Sequence, residues 1–416
     1  MKRRRWLKIL GLALLAFVAT VVVFHGRLVH AFGGASAYEP NEYATRLSAT
    51  AKALVDAALS DLDADRIFDD HVHIPGLGAD DSGCRVNPKM LSWAHPKSRV
   101  QFLVYADASR ITDLNQGDRQ YVERLVALAR GMPKHGRLGL LAFDANYAPD
   151  GTLVEERTEM YTPNTWPIQI AREFPDIFTP IASVHPYRDD AALELARAAE
   201  GGAHIVKWLP NAMGIDPADP RCDAFYAEMV RLDMVLLSHA GTEHAVDAAE
   251  AQEFGNPLRL RRALDRGVKV IVAHCGSLGE STDLDDPAGA QADNFDLFLR
   301  LMDEPRYVGL AFGEISAMTQ INRCGRPLEQ LLARTDLHER LVNGSDYPLP
   351  AINVLFSTCK LARLGYITDD ERALLNEIYD VNPLLFDLVL KRCLKHPERG
   401  TRFPASVFMV REGLQR

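Results

Sequence analysis

Short apolar runs alternate with helical patterns through most of the chain. Each run ends in polar or small residues, as a buried strand does before its loop. Eight runs predict strands: Arg66–His73, Leu138–Asp144, Phe178–His185, His204–Leu209, Met234–His239, Val268–His274, Tyr307–Glu314 and Leu341–Asp346. Between them the pattern predicts helices over Tyr121–Arg130, Ala191–Ala199, Cys222–Leu232, Pro257–Arg266, Phe295–Met302 and Leu328–Leu332. Because continuous apolar strands that alternate with helices indicate a covered parallel sheet, eight such units predict an α/β fold, a (β/α)₈ TIM barrel.

Three further segments flank or interrupt this alternation. A helical pattern over Ala44–Leu62 leads into the barrel, and another over Arg372–Lys395 closes it, with the tail Pro397–Arg416 packed against it. Arg99–Asp107 also has the pattern of a strand, which would be the ninth. We assign it to a long excursion between the first two strands, over residues 75–132, which we expect to be partly helical.

The N-terminus has the pattern of a targeting segment rather than of a folded element. A cationic start is followed by an uninterrupted apolar run, Ile9–Phe24. The positive charge places the N-terminus in the cytoplasm and the rest of the chain on the periplasmic or other extracytoplasmic side. The length of the run favours a transmembrane signal anchor, and the alternative is a secreted protein cleaved after Val29-His30-Ala31. We therefore divide the chain into an anchor with a short linker, residues 1–37, and a catalytic barrel, residues 38–416.

Charge and cysteine content narrow the class of protein. The chain of 416 residues has a net charge of −9, with six basic and no acidic residues among the first 31. The remainder has a charge of −15, which excludes a nucleic-acid partner. The six cysteines show no metal-binding spacing; Cys84 and Cys324 could pair after export, although buried free thiols are the default.

Polar side chains occur where several predicted strands end. His71 and His73 end the first strand and lie on one side of it, His239 and His274 end the fifth and sixth, and Asp346 ends the eighth. The carboxyl ends of barrel strands meet at one site, so these side chains are expected to converge. Neutral imidazoles with a carboxylate suit a transition metal, which predicts a metal centre.

These residues resemble the amidohydrolase superfamily over residues 66–390. The pattern consists of HxH on the first strand, Lys207 on the fourth, a histidine on each of the fifth and sixth, and aspartate in a Gly-Ser-Asp-Tyr-Pro turn after the eighth. The resemblance implies one or two divalent ions, Zn²⁺ by preference, with Mn²⁺ or Fe²⁺ as alternatives. It assigns His71, His73 and Asp346 to a first ion, and His239 and His274 to a second, with a carboxylated Lys207 between them.

The resemblance also implies a hydrolytic reaction. A hydroxide formed from metal-activated water would attack a carbonyl or phosphoryl centre, with Asp346 as general base and then acid. With an unmodified Lys207 the site would hold one ion, and His274 would become a hydrogen-bonding or catalytic residue.

Other polar residues near the strand ends are candidates for substrate binding. These are His185, Arg188, Trp208, Asn211 and Glu314. Glu243 could orient a ligand histidine, Asp69 and Asp70 are expected to support the HxH turn, and Arg323 is expected to be a surface charge on a loop.

Three functions are therefore compared. The first is a metal-dependent hydrolase of C–N, C–O or P–O bonds in a small molecule, the second a mononuclear lyase, either a decarboxylase or a hydratase, and the third a non-catalytic binding protein on the same barrel. The five filled ligand positions argue against the third. The expected partners are the substrate, the membrane and, by default, a second copy of the chain.

Overall fold

A computed structural model describes Trp6, residues 26–27, 29–34, 37–246 and 248–415. The predicted membrane segment Ile9–Phe24 lies outside these residues. Among the helices of the described ranges, none has both the length and the apolar character that crossing a bilayer requires. The division at residue 37 and the homodimer stay predictions.

Eight parallel strands form the barrel within the described residues, one in each predicted apolar run. They are β1 (Phe68–His73), β2 (Arg137–Leu141), β3 (Phe178–Ile181), β4 (Ile205–Trp208), β5 (Val235–His239), β6 (Val270–Ala273), β7 (Ala311–Glu314) and β8 (Leu341–Val342). Hydrogen bonds join them into two arcs, β1–β2–β3 and β4–β5–β6–β7–β8. Parallel bridges from Ala182 to Val206 and from Val72 to Tyr347 connect the arcs. The ring is therefore closed, as predicted.

Apolar side chains fill the barrel interior below the strand ends. This inner cluster contains Leu141, Ile181, Ile205, Val235, Leu237, Ile271, Ala273, Phe312, Val342 and Leu414. All but the last come from the strands, and Leu414 reaches the interior from the C-terminal tail. Because the interior is packed, a ligand can approach only at the ends of the barrel.

Helices surround the strands. The α-helices of five or more residues in the described part of the chain are α1 (Ala49–Leu59), α2 (Pro96–Ala108), α3 (Gly117–Arg130), α4 (Thr165–Glu173), α5 (Ala191–Glu200), α6 (Asp223–Arg231), α7 (Arg261–Asp265), α8 (Asn294–Asp303), α9 (Arg326–Ala333), α10 (Thr358–Arg363), α11 (Asp369–Val381) and α12 (Pro383–Cys393). The predicted helix over Arg372–Lys395 is two helices, because Asn382 has an extended backbone and its side chain caps α12 at Leu384 N and Leu385 N.

In the excursion between β1 and β2, Arg99–Asp107 is helical although its sequence has the pattern of a strand. This segment lies within α2, which confirms its assignment to a partly helical excursion rather than to a ninth strand. Apolar residues follow one another in this helix because two of its faces are covered by other parts of the chain. Phe102 and Ala106 pack on Met90, and Val104 lies against Gly33.

The tail packs on the closing helix and also on the barrel. Arg402 donates to the carbonyl of Cys393 in α12, as the sequence predicts. Farther on, Met409 bridges to Ile67, and Gln415 Nε2 donates to Asp70 Oδ2 at 2.5 Å. All six cysteines are free thiols, and Cys359 alone among them is exposed.

Candidate metal centre

The ends of β1 and β8 position the first half of the centre. His71 N and Ser345 N both donate to Asp69 Oδ1, at 3.0 and 2.8 Å. Asp346 N donates to the His71 carbonyl at 2.7 Å, and Asp346 has a left-handed φ of 60°. This arrangement turns the Asp346 carboxylate towards the HxH histidines, and it gives Asp69 the supporting role expected of it.

Three imidazoles face the Asp346 carboxylate. His73 Nε2 and His71 Nε2 lie 3.1 and 3.3 Å from Oδ1, and His274 Nε2 lies 3.9 Å from Oδ2. One ligand atom from each of His71, His274 and Asp346 lies within 4.8 Å of the other two. The His239 ring centroid is 5.1 Å from that of His274. The structure thus brings together all the histidines that were predicted as ligands.

Glu314 and Ser316, after β7, orient two of these rings. Glu314 Oε2 lies 3.1 Å from His71 Nδ1, and the Ser316 hydroxyl donates to the same carboxylate oxygen at 2.7 Å. Because the Ser316 proton is directed to Glu314, Ser316 Oγ accepts from His274 Nδ1 at 2.7 Å. Both histidines therefore carry their proton on Nδ1 and present the Nε2 lone pair to the centre.

Burial keeps three of the centre's imidazoles neutral. Desolvation lowers the pKa of His71, His239 and His274 well below the usual value. The positive charge of Lys207 lowers all three pKa values further, and that of Arg323 lowers those of His239 and His274. Burial also raises the pKa of Glu314 to about 7, against the opposing effect of the Ser316 hydrogen bond. Neutral imidazoles are the form that binds a metal ion.

Lys207 and His239 complete the set. Lys207 Nζ lies 3.1 Å from His71 Nε2, and burial lowers its pKa to about 8. His239 Nε2 is buried and has no hydrogen-bond partner in the described part of the chain; Glu243 Oε2 is 3.5 Å away. A buried nitrogen without a partner is costly unless it has a ligand, so the donor set fits a divalent ion.

A cavity of about 1010 Å³, including its open part, lies above these residues. Its floor contains His71, His73, Lys207, His239, His274 and Asp346. The walls are mostly apolar and come from the excursion and the barrel loops, with Met90, Phe102, Tyr105, Phe143, Met160 and Leu349 among them. The cavity therefore has one polar end, where reactive groups converge, and is otherwise large and apolar.

Two of the predicted substrate residues, His185 and Arg188, form a structural cluster with Asp144. Arg188 Nη1 lies 3.1 and 3.2 Å from the two Asp144 oxygens, and His185 N donates to Asp144 at 2.8 Å. The His185 ring nitrogens contact the Met213 carbonyl and Tyr187 N. Neither residue lines the cavity, because their polar groups hold the loops after β2 and β3.

The other three candidates also point elsewhere. Trp208 is buried against Phe225, and its indole N–H donates to the Val184 carbonyl. Asn211 donates to the Gly241 carbonyl and to Gln252. Glu314 lies behind the histidines, where it contacts His71 rather than the cavity. Residues at the end of a strand can face the barrel axis or the surrounding helices, and the sequence pattern does not distinguish the two.

Arg323 differs from its prediction as a surface charge. It is 7% exposed, and Nη1 donates to Ser277 Oγ at 2.9 Å. Its charge helps to keep His239 and His274 neutral. Ser316 was not among the residues predicted from the sequence, although its position two residues after Glu314 at a strand end was the available signal.

Comparisons with known proteins bear on this centre. The profile of a family described as Amidohydrolase matches residues 103–375. Among solved structures, an uncharacterised TIM-barrel protein from Bordetella bronchiseptica is 13% identical, with a TM-score of 0.44, covering 78% of this chain and 95% of the other.

Two further solved structures are similar at the same level. A probable 2-pyrone-4,6-dicarboxylic acid hydrolase from Acinetobacter baumannii is 14% identical, with a TM-score of 0.42 and coverage of 78% and 99%. A 5-carboxyvanillate decarboxylase from Sphingomonas paucimobilis is 12% identical, with a TM-score of 0.42 and coverage of 78% and 96%. The comparison with curated proteins gave no match.

Proposed function

Because the chain belongs to the amidohydrolase family, we propose that it is a metal-dependent hydrolase of a small molecule with an apolar body and one carbonyl or phosphoryl group. The convergence of His71, His73, His274 and Asp346 on the floor of the cavity supports this function most strongly. The apolar walls support the choice of substrate, since they offer few partners to a polar body.

The ligands of a first ion would be His71, His73 and Asp346, and those of a second would be His239 and His274. The chemistry supplied by such an ion is Lewis acidity, which polarises the reacting group and makes water more acidic. Zn²⁺ suits these donors, and Mn²⁺ or Fe²⁺ would also fit.

In this proposal Asp346 moves the proton. Its Oδ1 lies against His71 and His73, and its Oδ2 faces His274 from 3.9 Å, so the carboxylate can take a proton from water and deliver it to the leaving group. His274, oriented by Ser316, would bind the ion or accept a hydrogen bond from the reacting group through its Nε2 lone pair.

The chemical state of Lys207 distinguishes this function from a second candidate, a mononuclear lyase such as a decarboxylase. In a two-ion hydrolase, a carboxylated Lys207 would bridge the ions as an anion. In the lyase Lys207 would stay an unmodified amine, and its Nζ lies 3.1 Å from His71 Nε2, within hydrogen-bond distance of a ligand of the first ion. In the described residues no carboxylate oxygen lies within 4.0 Å of that amine.

Metal content per chain tests the proposal. The full chain is purified without chelator, reloaded with zinc in bicarbonate, and compared with Lys207→Ala. Two ions that fall to about one in the variant, with hydrolysis of apolar esters, lactones, amides or phosphoesters, would support the hydrolase. One ion in both proteins, with carbon dioxide release from aromatic acids, would favour the lyase. No ion after reloading would leave only a binding protein.

We also propose that the barrel is exported and held at the membrane by Ile9–Phe24. The cationic start and the apolar run that follows it support this location. Fractionation of cells that produce the full chain, followed by protease treatment from the extracytoplasmic side, tests it.

A further inference from the structure

Helix α2 forms a wall between the metal-site cavity and the surface. Phe102 and Ala106, one turn apart, are buried, and both line the cavity. Tyr105 also lines it, and its hydroxyl lies 3.4 Å from the Ala245 carbonyl, across the opening. One side of α2 therefore lines the cavity.

The opposite side of this wall exposes large apolar side chains to solvent. Val100 is 43% exposed and lies half a turn from Phe102, while Leu91 and Trp93, just before the helix, are 46% and 59% exposed. Lys97 is exposed on the first turn. We call Leu91, Trp93, Lys97 and Val100 the outer patch. Three large exposed apolar side chains within ten residues form a cluster, and such clusters are typical of a surface that contacts a partner or a membrane.

The segment that contains the outer patch is positively charged, unlike the rest of the chain beyond residue 31. Residues 85–106 contain Arg85, Lys89, Lys97 and Arg99 and no acidic residue, although the chain beyond residue 31 has a net charge of −15. The Arg99 guanidinium carbon lies 5.8 Å from the Trp93 ring centroid. Tryptophan with basic residues is the composition typical of the boundary between lipid and water, and basic residues complement anionic headgroups.

The N-terminal segment reaches the same side of α2. His30 Nδ1 lies 3.1 Å from Asp107 Oδ2, and a Cβ added at Gly33 would lie 3.2 Å from Val104 Cγ1. Val104 is one turn from Val100. The contact begins within a few residues of Phe24, where the predicted membrane segment ends. The five residues from Phe24 to Val29 can span at most about 18 Å, so a membrane end of the segment would lie on the side of the protein to which α2 belongs.

We propose that the outer patch rests on the surface of the lipid bilayer, with Trp93 and Val100 at the level of the headgroups and Lys97 against anionic lipid. The cavity would then lie one helix away from the membrane. The proposal rests on the predicted anchor but not on the reaction of the metal centre, so it can fail while the proposed function stands.

Site-specific labelling of the full chain in vesicles tests this orientation. Cys359, the exposed native thiol, is changed to Ser, and an environment-sensitive fluorophore is attached at Val100→Cys or Trp93→Cys. Val308→Cys is the matched control, since Val308 is 66% exposed and precedes β7, at the other end of the barrel. The vesicles contain phosphatidylcholine with or without phosphatidylglycerol, and quenching is measured with doxyl-labelled lipid and with aqueous iodide.

We expect lipid quenching at positions 93 and 100 to exceed that at 308 several-fold, with a further increase in anionic vesicles that Lys97→Glu reduces. Lipid quenching equal to that at 308 would overturn the proposal. Protection from iodide without lipid quenching would also overturn it, because the patch would then be covered by protein, either a partner or a second copy of the chain.

Discussion

Glu314 Oε2 lies 3.1 Å from His71 Nδ1, on the side of the ring away from Asp346. The carboxylate fixes the tautomer of His71, so the lone pair on Nε2 faces the centre. Glu314 also accepts from Ser316, which orients His274. One buried carboxylate thereby orients two candidate metal ligands on different strands.

We expect Glu314→Gln to weaken metal binding by about 10- to 100-fold, because the amide carries no negative charge beside the His71 proton and would place its NH2 group against Ser316 N. Titration of the metal-free protein with zinc measures the change. Glu253→Gln is the control, since Glu253 accepts from Thr282 outside the centre. Unchanged zinc affinity in Glu314→Gln would show that Glu314 has no effect on the ligands.

The order of the elements followed from the sequence because buried parallel strands and their covering helices leave strong periodic signals. The sequence of Arg99–Asp107 resembles a strand because Val104 is covered by the N-terminal segment, which turns a helical pattern into a continuous apolar run. Contacts between residues far apart in sequence are not visible in such a pattern.

The candidate site was predicted unevenly for a related reason. His71, His73 and Asp346 follow from their positions at strand ends, where a barrel has one site. The contacts of His185 with Met213 and of Arg188 with Asp144 depend on the paths of loops, which sequence spacing does not determine. Glu314 was predicted to bind substrate and does lie near the site, but the sequence could not show that its side chain contacts His71 rather than the cavity.

Gly344 provides a second test of how tightly the centre is packed. A Cβ at this position would lie 2.7 Å from His71 Cβ and would overlap Glu314 Oε1. We expect Gly344→Ala to lower stability by about 1–3 kcal/mol and to weaken zinc binding, because both neighbours must move. Urea denaturation and zinc titration measure the two effects.

Gly117→Ala is the matched control for this substitution. Gly117 has φ −61°, and a Cβ there would have its nearest neighbours at 3.4 Å, an ordinary contact. Zinc binding should remain unchanged. If Gly344→Ala behaved like Gly117→Ala, the packing between β8 and the HxH histidines would be looser than the structure indicates.

Asp346→Asn should separate binding from turnover. The side chain keeps its shape but loses the negative charge needed to take a proton, so we expect kcat to fall by about 10²- to 10⁴-fold with little change in KM. The metal content of the variant must be measured alongside, because a loss of the ion would lower kcat for a different reason. An active, metal-loaded variant would remove Asp346 from the proton path.

Metal removal should destabilise the protein. An ion that binds only the folded state adds about 2.7 kcal/mol when its free concentration is about 100 times Kd. Chelation should therefore lower Tm, and added zinc should restore it. His274→Ala should show a smaller difference in Tm between the metal-free and loaded forms. An equal Tm with and without chelator in the wild-type protein would argue against a resident ion.

The C-terminal tail should contribute to the stability of the barrel itself. Leu414 is 1% exposed and belongs to the inner cluster, and the next residue, Gln415, hydrogen-bonds to the buried Asp70 beside His71. We expect Leu414→Ala to lower the free energy of unfolding by about 2–5 kcal/mol, because it leaves a cavity where the strands converge.

Urea denaturation of Leu414→Ala and Glu412→Ala distinguishes this packing from a general effect of the tail. Glu412 is exposed two residues earlier, so its substitution should change stability by at most about 0.5 kcal/mol. Gln415→Ala should cost about 1–3 kcal/mol, because Asp70 loses its amide donor. If all three variants matched the wild-type protein, the tail would not be part of the folded barrel in solution, and the interior below the metal centre would have to be closed by other residues.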